Sequence, residues 1–133
     1  MVRFADAKIV HVSKAVDGAP EEERFILCTV LAPEEVDLHE DIYSAEEIRK
    51  AQRKFMLKYQ NIKLMHRKML TSDEVAIVEC YIAPCDMTIG EDKITKGTWM
   101  MGLHIMSDVI WDAVKNGELT GLSIGGEVTE EKL

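Results

Sequence analysis

The chain has no long apolar run, no leader-like N-terminus and no paired cysteines. No stretch of its 133 residues approaches the ~18 consecutive apolar residues of a membrane-spanning helix. The N-terminus lacks a basic region followed by a long apolar run, so we expect no secretory signal. The three cysteines, Cys28, Cys80 and Cys85, lack C-x-x-C spacing and lie in or beside apolar segments. This pattern predicts buried, reduced thiols, which suit a cytoplasmic protein.

Positive charge is also scarce. There are 16 Lys and Arg residues against 24 Asp and Glu residues, which gives a net charge of −8. Such a surface repels nucleic acid and anionic membranes, so neither is an expected partner. The excess of acidic residues is most simply interpreted as a solvated acidic surface. A second interpretation is that the protein acts on basic substrates. The length predicts one domain, residues 1–133.

A cofactor or metal site is not indicated either. The acidic run Asp37–Asp41 contains His39 and places ligand-type residues at alternate positions. Nothing else in the sequence supplies the closed ligand set that a zinc site requires. We therefore expect no metal and no cofactor, and interpret this run as an acidic loop that precedes a helix.

Strand patterns dominate, and two helices interrupt them. Ser44 with Glu47 forms a capping box before a helical apolar face that runs to about Lys58. Ser107 begins a second helix that Asn116-Gly117 ends. The predicted strands are 4–12, 24–32, 61–66, 74–83, 98–106 and 118–128. This order predicts an α+β fold in which a mixed sheet or small closed barrel is flanked by two helices.

The segment Gly121-Leu122-Ser123-Ile124-Gly125 has the G-x-S-x-G pattern of an exposed serine nucleophile. On a strand, Gly121 and Gly125 share the face of Ser123 and leave it open, whereas the two apolar residues point into a core. In an α/β-hydrolase the serine opens a helix and precedes its acid and histidine. Here the histidines come first, which excludes that fold but not a serine nucleophile on another fold.

Three polar residues interrupt apolar strands and are candidates for a role beside the serine. His66 follows Ile62 and Leu64 on one strand face, where it is either a base or a core histidine bonded to a carbonyl. Glu79 stands inside an apolar strand, where it is either paired, as with an imidazole, or reaches solvent at a strand edge. His104 is a further candidate for the orienting role.

Several blocks together resemble the XkdF-like phage serine proteases, which are relatives of the prohead (capsid maturation) proteases of tailed phages. The most specific block is Asn-Gly-Glu-Leu-Thr-Gly-Leu-Ser-Ile-Gly, residues 116–125, paired with the upstream His66. The other blocks are 32–41, 44–48 with Phe55, 64–65, 78–84 and 97–102.

The resemblance implies a mainly antiparallel β-barrel or strongly bent sheet, similar to the herpesvirus assemblins. It implies Ser123 as nucleophile and His66 as general base, with Glu79 as the preferred third member and His104 as the second choice. The herpesvirus enzymes use a second histidine after the serine, and none follows Ser123 here. The implied substrates are phage scaffold and capsid proteins inside the assembling prohead, in the host cytoplasm. The sequence leaves open whether the protein forms a homodimer or a higher oligomer.

The oxyanion hole departs from the related viral proteases, which use an arginine segment after the serine. Lys132 is the sole basic residue after Ser123, so we expect backbone N–H groups of Gly125 and Gly126 as donors. Otherwise a C-terminal extension beyond Leu133 completes the site, and we expect the chain to be truncated there. Two alternatives remain: an inactive module that binds scaffold or assembles capsids, and a cysteine or metal enzyme.

Overall fold

The computed structural model describes residues 4–13, 23–36, 41–59, 61–64, 68–71 and 73–125. Nine strands and two helices lie in these ranges. They are β1 Phe4–Ser13, β2 Phe25–Leu31, α1 Ala45–Lys54 continued by a π-helical turn Phe55–Tyr59, β3 Asn61–Leu64, β4 Lys68–Met69, β5 Val75–Ile82, β6 Met87–Ile89, β7 Asp92–Ile94, β8 Trp99–Ile105, α2 Asp108–Lys115 and β9 Gly121–Gly125.

Seven of the strands form one sheet in the order β4-β3-β9-β1-β2-β8-β5. Every neighbouring pair is antiparallel, and the sheet curls strongly into a half-barrel. The predicted α+β class with a bent antiparallel sheet and two helices is therefore confirmed. The expected mixture of parallel and antiparallel strands is not found among the described strands, in which β4 and β5 form the two edges.

The inner face of the sheet carries the main core. Strand side chains alternate between faces, so every second residue of β2, β8 and β9 points inward. Both helices pack their apolar sides against this face, and burial of these side chains is the main stabilising contribution to the fold. The inward strand residues include Ile26, Cys28, Met101, Leu103, Leu122 and Ile124, and the helical residues include Ile48, Phe55, Ile110 and Trp111.

Both helix beginnings are as predicted. The Ser44 hydroxyl accepts from the Glu47 amide at 3.2 Å, and the Glu47 carboxylate accepts from the Ser44 amide at 2.9 Å, which completes the capping box. In α2 the Ser107 hydroxyl accepts from the Ile110 amide at 3.3 Å. Gly117 follows the C-cap with φ +78°, the left-handed conformation that a terminating glycine adopts readily.

A small hairpin on the outer face was not predicted. Strands β6 and β7 pair with Ile89 opposite Asp92, so their loop has two residues, Gly90 and Glu91. Gly90 has φ +61° and Glu91 does not have a positive φ, which matches a type II′ turn. The hairpin covers a second apolar cluster built around Ala83, Ile94 and Met100. The carboxylate of Asp92 in this hairpin also forms an ion pair with Lys8 of β1, with 2.9 Å between Oδ1 and Nζ.

Strand β9 can lie against β1 because residue 121 is glycine. A Cβ at Gly121 would collide with the carbonyl oxygen of Ala7. The register pairs Lys8 with Gly121 and Asp6 with Ser123, and slippage by one residue would turn every β9 side chain to the other face. The sequence interpretation gave this glycine the task of exposing the serine, whereas the structure shows that it permits the close approach of two backbones.

We expect Gly121→Ala to lower the free energy of unfolding by about 2–3 kcal/mol, because the backbone of β1 must shift to admit the methyl group. Urea denaturation followed by circular dichroism measures this loss. Gly117→Asn is the control, since its surroundings are open and Asn tolerates positive φ. Equal, small losses in both variants would contradict the close approach.

The capping box predicts a pH dependence of stability. The amide hydrogen bond from Ser44, followed by the Ser44 hydroxyl, lowers the pKa of Glu47. The lowered pKa stabilises the folded state fully above about pH 4.3, the ordinary Glu value, and this contribution disappears as the pH falls through the folded-state pKa. The stability difference between wild type and Glu47→Gln should therefore shrink in acid. Glu46→Gln in the same turn is the control, and an identical pH dependence in both variants would contradict the prediction.

Candidate functional site

Ser123 lies in the middle of β9, between β1 and β3. Leu122 and Ile124 point into the main core as predicted, so Ser123 faces the other side of the sheet. The register places Asp6 of β1 opposite Ser123 on one side and Lys63 of β3 opposite it on the other. The serine side chain is only 2% exposed. The expected strand position is therefore confirmed, but the hydroxyl is more enclosed than a fully open nucleophile.

The hydroxyl of Ser123 donates to the carboxylate of Asp6. The distance from Oγ to Oδ1 is 3.5 Å, at the long limit of a hydrogen bond. Asp6 is half-buried. Sequence reasoning missed this residue, because Asp6 and Lys8 form an ordinary polar face of a strand whose partner cannot be deduced from local pattern.

A cleft of about 610 Å³ opens beside this pair. Its walls come from β1, β2, the chain that follows β2, and the start of β9. Besides Ser123 and Asp6, its polar lining consists of Lys8, Thr29, Glu35 and Thr120, and Val36 contributes apolar surface. A cleft of this size accommodates a few side chains of a peptide.

His66 lies outside the described residues, in the connection between β3 and β4. The structure does fix β3 directly beside β9, with Lys63 opposite Ser123. The connection that carries His66 therefore begins after Leu64, the last residue of β3, which is one residue past the position opposite the serine.

The structure does not bring Glu79 beside Ser123. Strands β1, β2 and β8 separate β5 from β9, which corresponds to about 19 Å along the sheet. Glu79 is exposed, opposite Gly102 and just after a bulge in this edge strand. This is the solvent-reaching alternative of the sequence interpretation. Its catalytic role stays a prediction.

His104 lies towards the opposite end of the sheet from Ser123. It is half-buried in β8 and pairs with Phe25 and Ala76. Phe25 in turn pairs with Ser13, which is seven residues along β1 from Asp6 and thus about 23 Å away. The orienting role of His104 is likewise a prediction without a nearby contact to Ser123.

The expected oxyanion donors are placed only in part. Gly125 ends β9 and pairs with Phe4 and Asn61, so a strand flanks its backbone on each side. Gly126 lies outside the described residues. The donor role of both glycines stays a prediction.

The cysteines are free and none of them lines the cleft. Burial raises the pKa of Cys28 to about 12. Cys80 accepts from Gln52 Nε2 at 3.3 Å. Cys85 is exposed, so the expectation of three buried thiols is wrong for this residue, which lies in the bend before β6.

The acidic run that was considered as a metal site is only partly described by the structure. Asp37, His39 and Glu40 lie outside the described residues. Within the described part of the chain, no group of three His, Cys, Asp or Glu side chains could hold a metal ion. No helix in the same ranges has the length and apolar character to cross a membrane.

The comparisons agree on one family. The family model described as "Putative phage serine protease XkdF" matches residues 10–131. The chain is 35% identical over 114 residues to the phage-like element PBSX protein XkdF of Bacillus subtilis, covering 84% of this chain. It is 34% identical over 106 residues to the uncharacterized protein YqbD of the same organism, covering 80% of this chain. No solved structure matches the chain significantly.

The sequence matches thus place this curled antiparallel sheet in a class of phage proteins, whose family description names a putative serine protease. The chain is a member of the XkdF family. It spans 40% of the PBSX protein and 32% of YqbD, so the matched region is less than half of either relative.

Thiol reactivity separates a cysteine nucleophile from a structural cysteine. At pH 8 a thiol of pKa about 12 is ionised in roughly one molecule in 10⁴, and only the thiolate reacts. We therefore expect iodoacetamide to modify Cys85 in the folded protein and Cys28 only after denaturation, as measured by peptide mass spectrometry. Cys85→Ser is the control that should remove the fast reaction. Rapid modification of Cys28 in the folded protein would contradict the prediction.

Proposed function

We propose that the chain is the serine endopeptidase domain of a phage prohead-maturation type protein, which cleaves scaffold or capsid proteins by acyl transfer. The observation that carries the proposal is Ser123 on the cleft, with a carboxylate oxygen 3.5 Å from its Oγ. The match to a family described as a phage serine protease supports the same reaction class.

The reacting pair of the proposal is Ser123 and His66. The imidazole takes the serine proton as Oγ attacks a peptide carbonyl, and a tetrahedral oxyanion forms. The imidazolium then gives this proton to the leaving amine, and water hydrolyses the acyl-enzyme. Backbone amides near Gly125 and Gly126 are the proposed oxyanion donors.

Covalent geometry supports His66 as the base. Two residues of chain span at most about 7 Å, which limits the distance between the Cα atoms of His66 and Leu64. Leu64 is the neighbour of Lys63, which lies opposite Ser123. His66 thus follows β3, one of the two strands that flank β9, by two residues in the sequence.

A second candidate function follows from the burial of the serine. With Ser123 only 2% exposed, the same fold serves an assembly or scaffold-binding module that does not cleave its partner. This candidate and the protease differ in one observable, which is covalent reaction at Ser123.

The test is co-expression of the full-length protein with candidate scaffold and capsid proteins, followed by mass spectrometry of new fragments. We expect Ser123→Ala to abolish the fragments, a loss of at least about 10³-fold. Thr120→Ala is the matched control, because it removes another hydroxyl from the same cleft.

Two results would contradict the protease. One is fragments that persist in Ser123→Ala, and the other is intact partners that co-purify with the wild type and with Ser123→Ala alike. The second result would instead establish the assembly module.

A further inference from the structure

We infer that Asp6 is the acidic positioning residue of the Ser123 site, in the role that the sequence assigned to Glu79. This inference rests on the proposed function. Its basis is the contact between the Asp6 carboxylate and the Ser123 hydroxyl, together with the cleft that both residues line.

The backbone, rather than a flexible side chain, enforces this proximity. Asp6 and Ser123 are direct cross-strand neighbours, whose Cβ atoms lie about 4.5–5.5 Å apart in an antiparallel ladder. Gly121 fixes that register, since any other residue there would strike the Ala7 carbonyl. The backbone therefore keeps the Asp6 and Ser123 side chains next to each other, within reach of the observed contact.

The burial of Ser123 makes its contact with Asp6 chemically important. A serine hydroxyl on a residue that is 2% exposed requires a hydrogen-bond partner, and the Asp6 carboxylate accepts that hydrogen bond. The same negative charge lies where it stabilises a cationic general base beside Ser123, which is the electrostatic part of the acid's role in a Ser-His-Asp triad. Glu79 is exposed, and three strands separate its strand from β9. It therefore neither accepts a hydrogen bond from Ser123 nor places a negative charge beside it.

The other charged residues around the Asp6–Ser123 pair belong to four segments. Lys8 of the same strand is ion-paired with Asp92 of the hairpin. Glu35 lines the cleft from the chain after β2, and Lys63 occupies the register position across Ser123. Asp92→Asn therefore removes a nearby carboxylate that does not contact Ser123, which makes it the matched control for charge.

The test is the rate at which a biotinylated fluorophosphonate labels Ser123 between pH 5 and 9. We expect Asp6→Asn to slow labelling by about 10²–10⁴-fold and to lower the pH midpoint of the rate, because the base loses its anionic neighbour. Asp6→Glu, which keeps the charge, should recover part of the rate. Asp92→Asn should stay within about twofold of the wild type. Thermal unfolding of each variant verifies that the comparison is between folded proteins.

Three outcomes would overturn the inference. Labelling of Asp6→Asn at the wild-type rate and midpoint would reduce the contact to a structural one, with the protease function intact. Slow labelling of Glu79→Gln but not of Asp6→Asn would return the role to Glu79. A wild type that shows no labelling at Ser123 would overturn the proposed function, and the inference with it.

Discussion

The pairing of β9 with β1 is the constraint on which the candidate site depends. Strand side chains alternate, so the face to which Ser123 points is decided by register alone. The absence of a side chain at Gly121 allows the two backbones to approach, and that approach puts Asp6 opposite Ser123. The absence of a Cβ at Gly121 therefore allows the register that turns the Ser123 hydroxyl to the outer face and places Asp6 beside it.

The two faces of the sheet have separate tasks. The inner face and both helices bury the large apolar side chains, which supply most of the stabilisation. The outer face carries a smaller apolar cluster under the β6–β7 hairpin. The cleft that contains Ser123 is separate from this cluster. Polar residues can accordingly occupy the cleft without disrupting the main core.

The sequence predicted what depends on local pattern. The capping box of α1, the Ser107 cap of α2, the glycine stop after α2, the apolar alternation around Ser123 and the long strands all follow from residues within a few positions of each other. The hairpin at Gly90 also has a local signal, a two-residue turn with glycine first, but its strands are only three residues long and show little alternation.

What the sequence could not provide is strand order. Glu79 and Asp6 are both acidic residues on strands, and nothing near either one shows which lies beside β9. That answer comes from the pairing of segments more than 100 residues apart, as for Asp6 and Ser123. The sequence left two environments open for Glu79, and only the sheet order, which makes β5 an edge, decides for the solvent-exposed one.

The edge position of Glu79 has a consequence for how copies of the protein behave at high concentration. An edge strand with unpaired backbone groups is a template for another strand, and β5 is eight residues long with Val78 54% exposed. The bulge between Ile77 and Glu79 breaks the regular spacing of those groups, and the exposed carboxylate places a charge in the middle of the edge. Together they hinder the pairing of β5, edge to edge, with a strand of another copy of the protein.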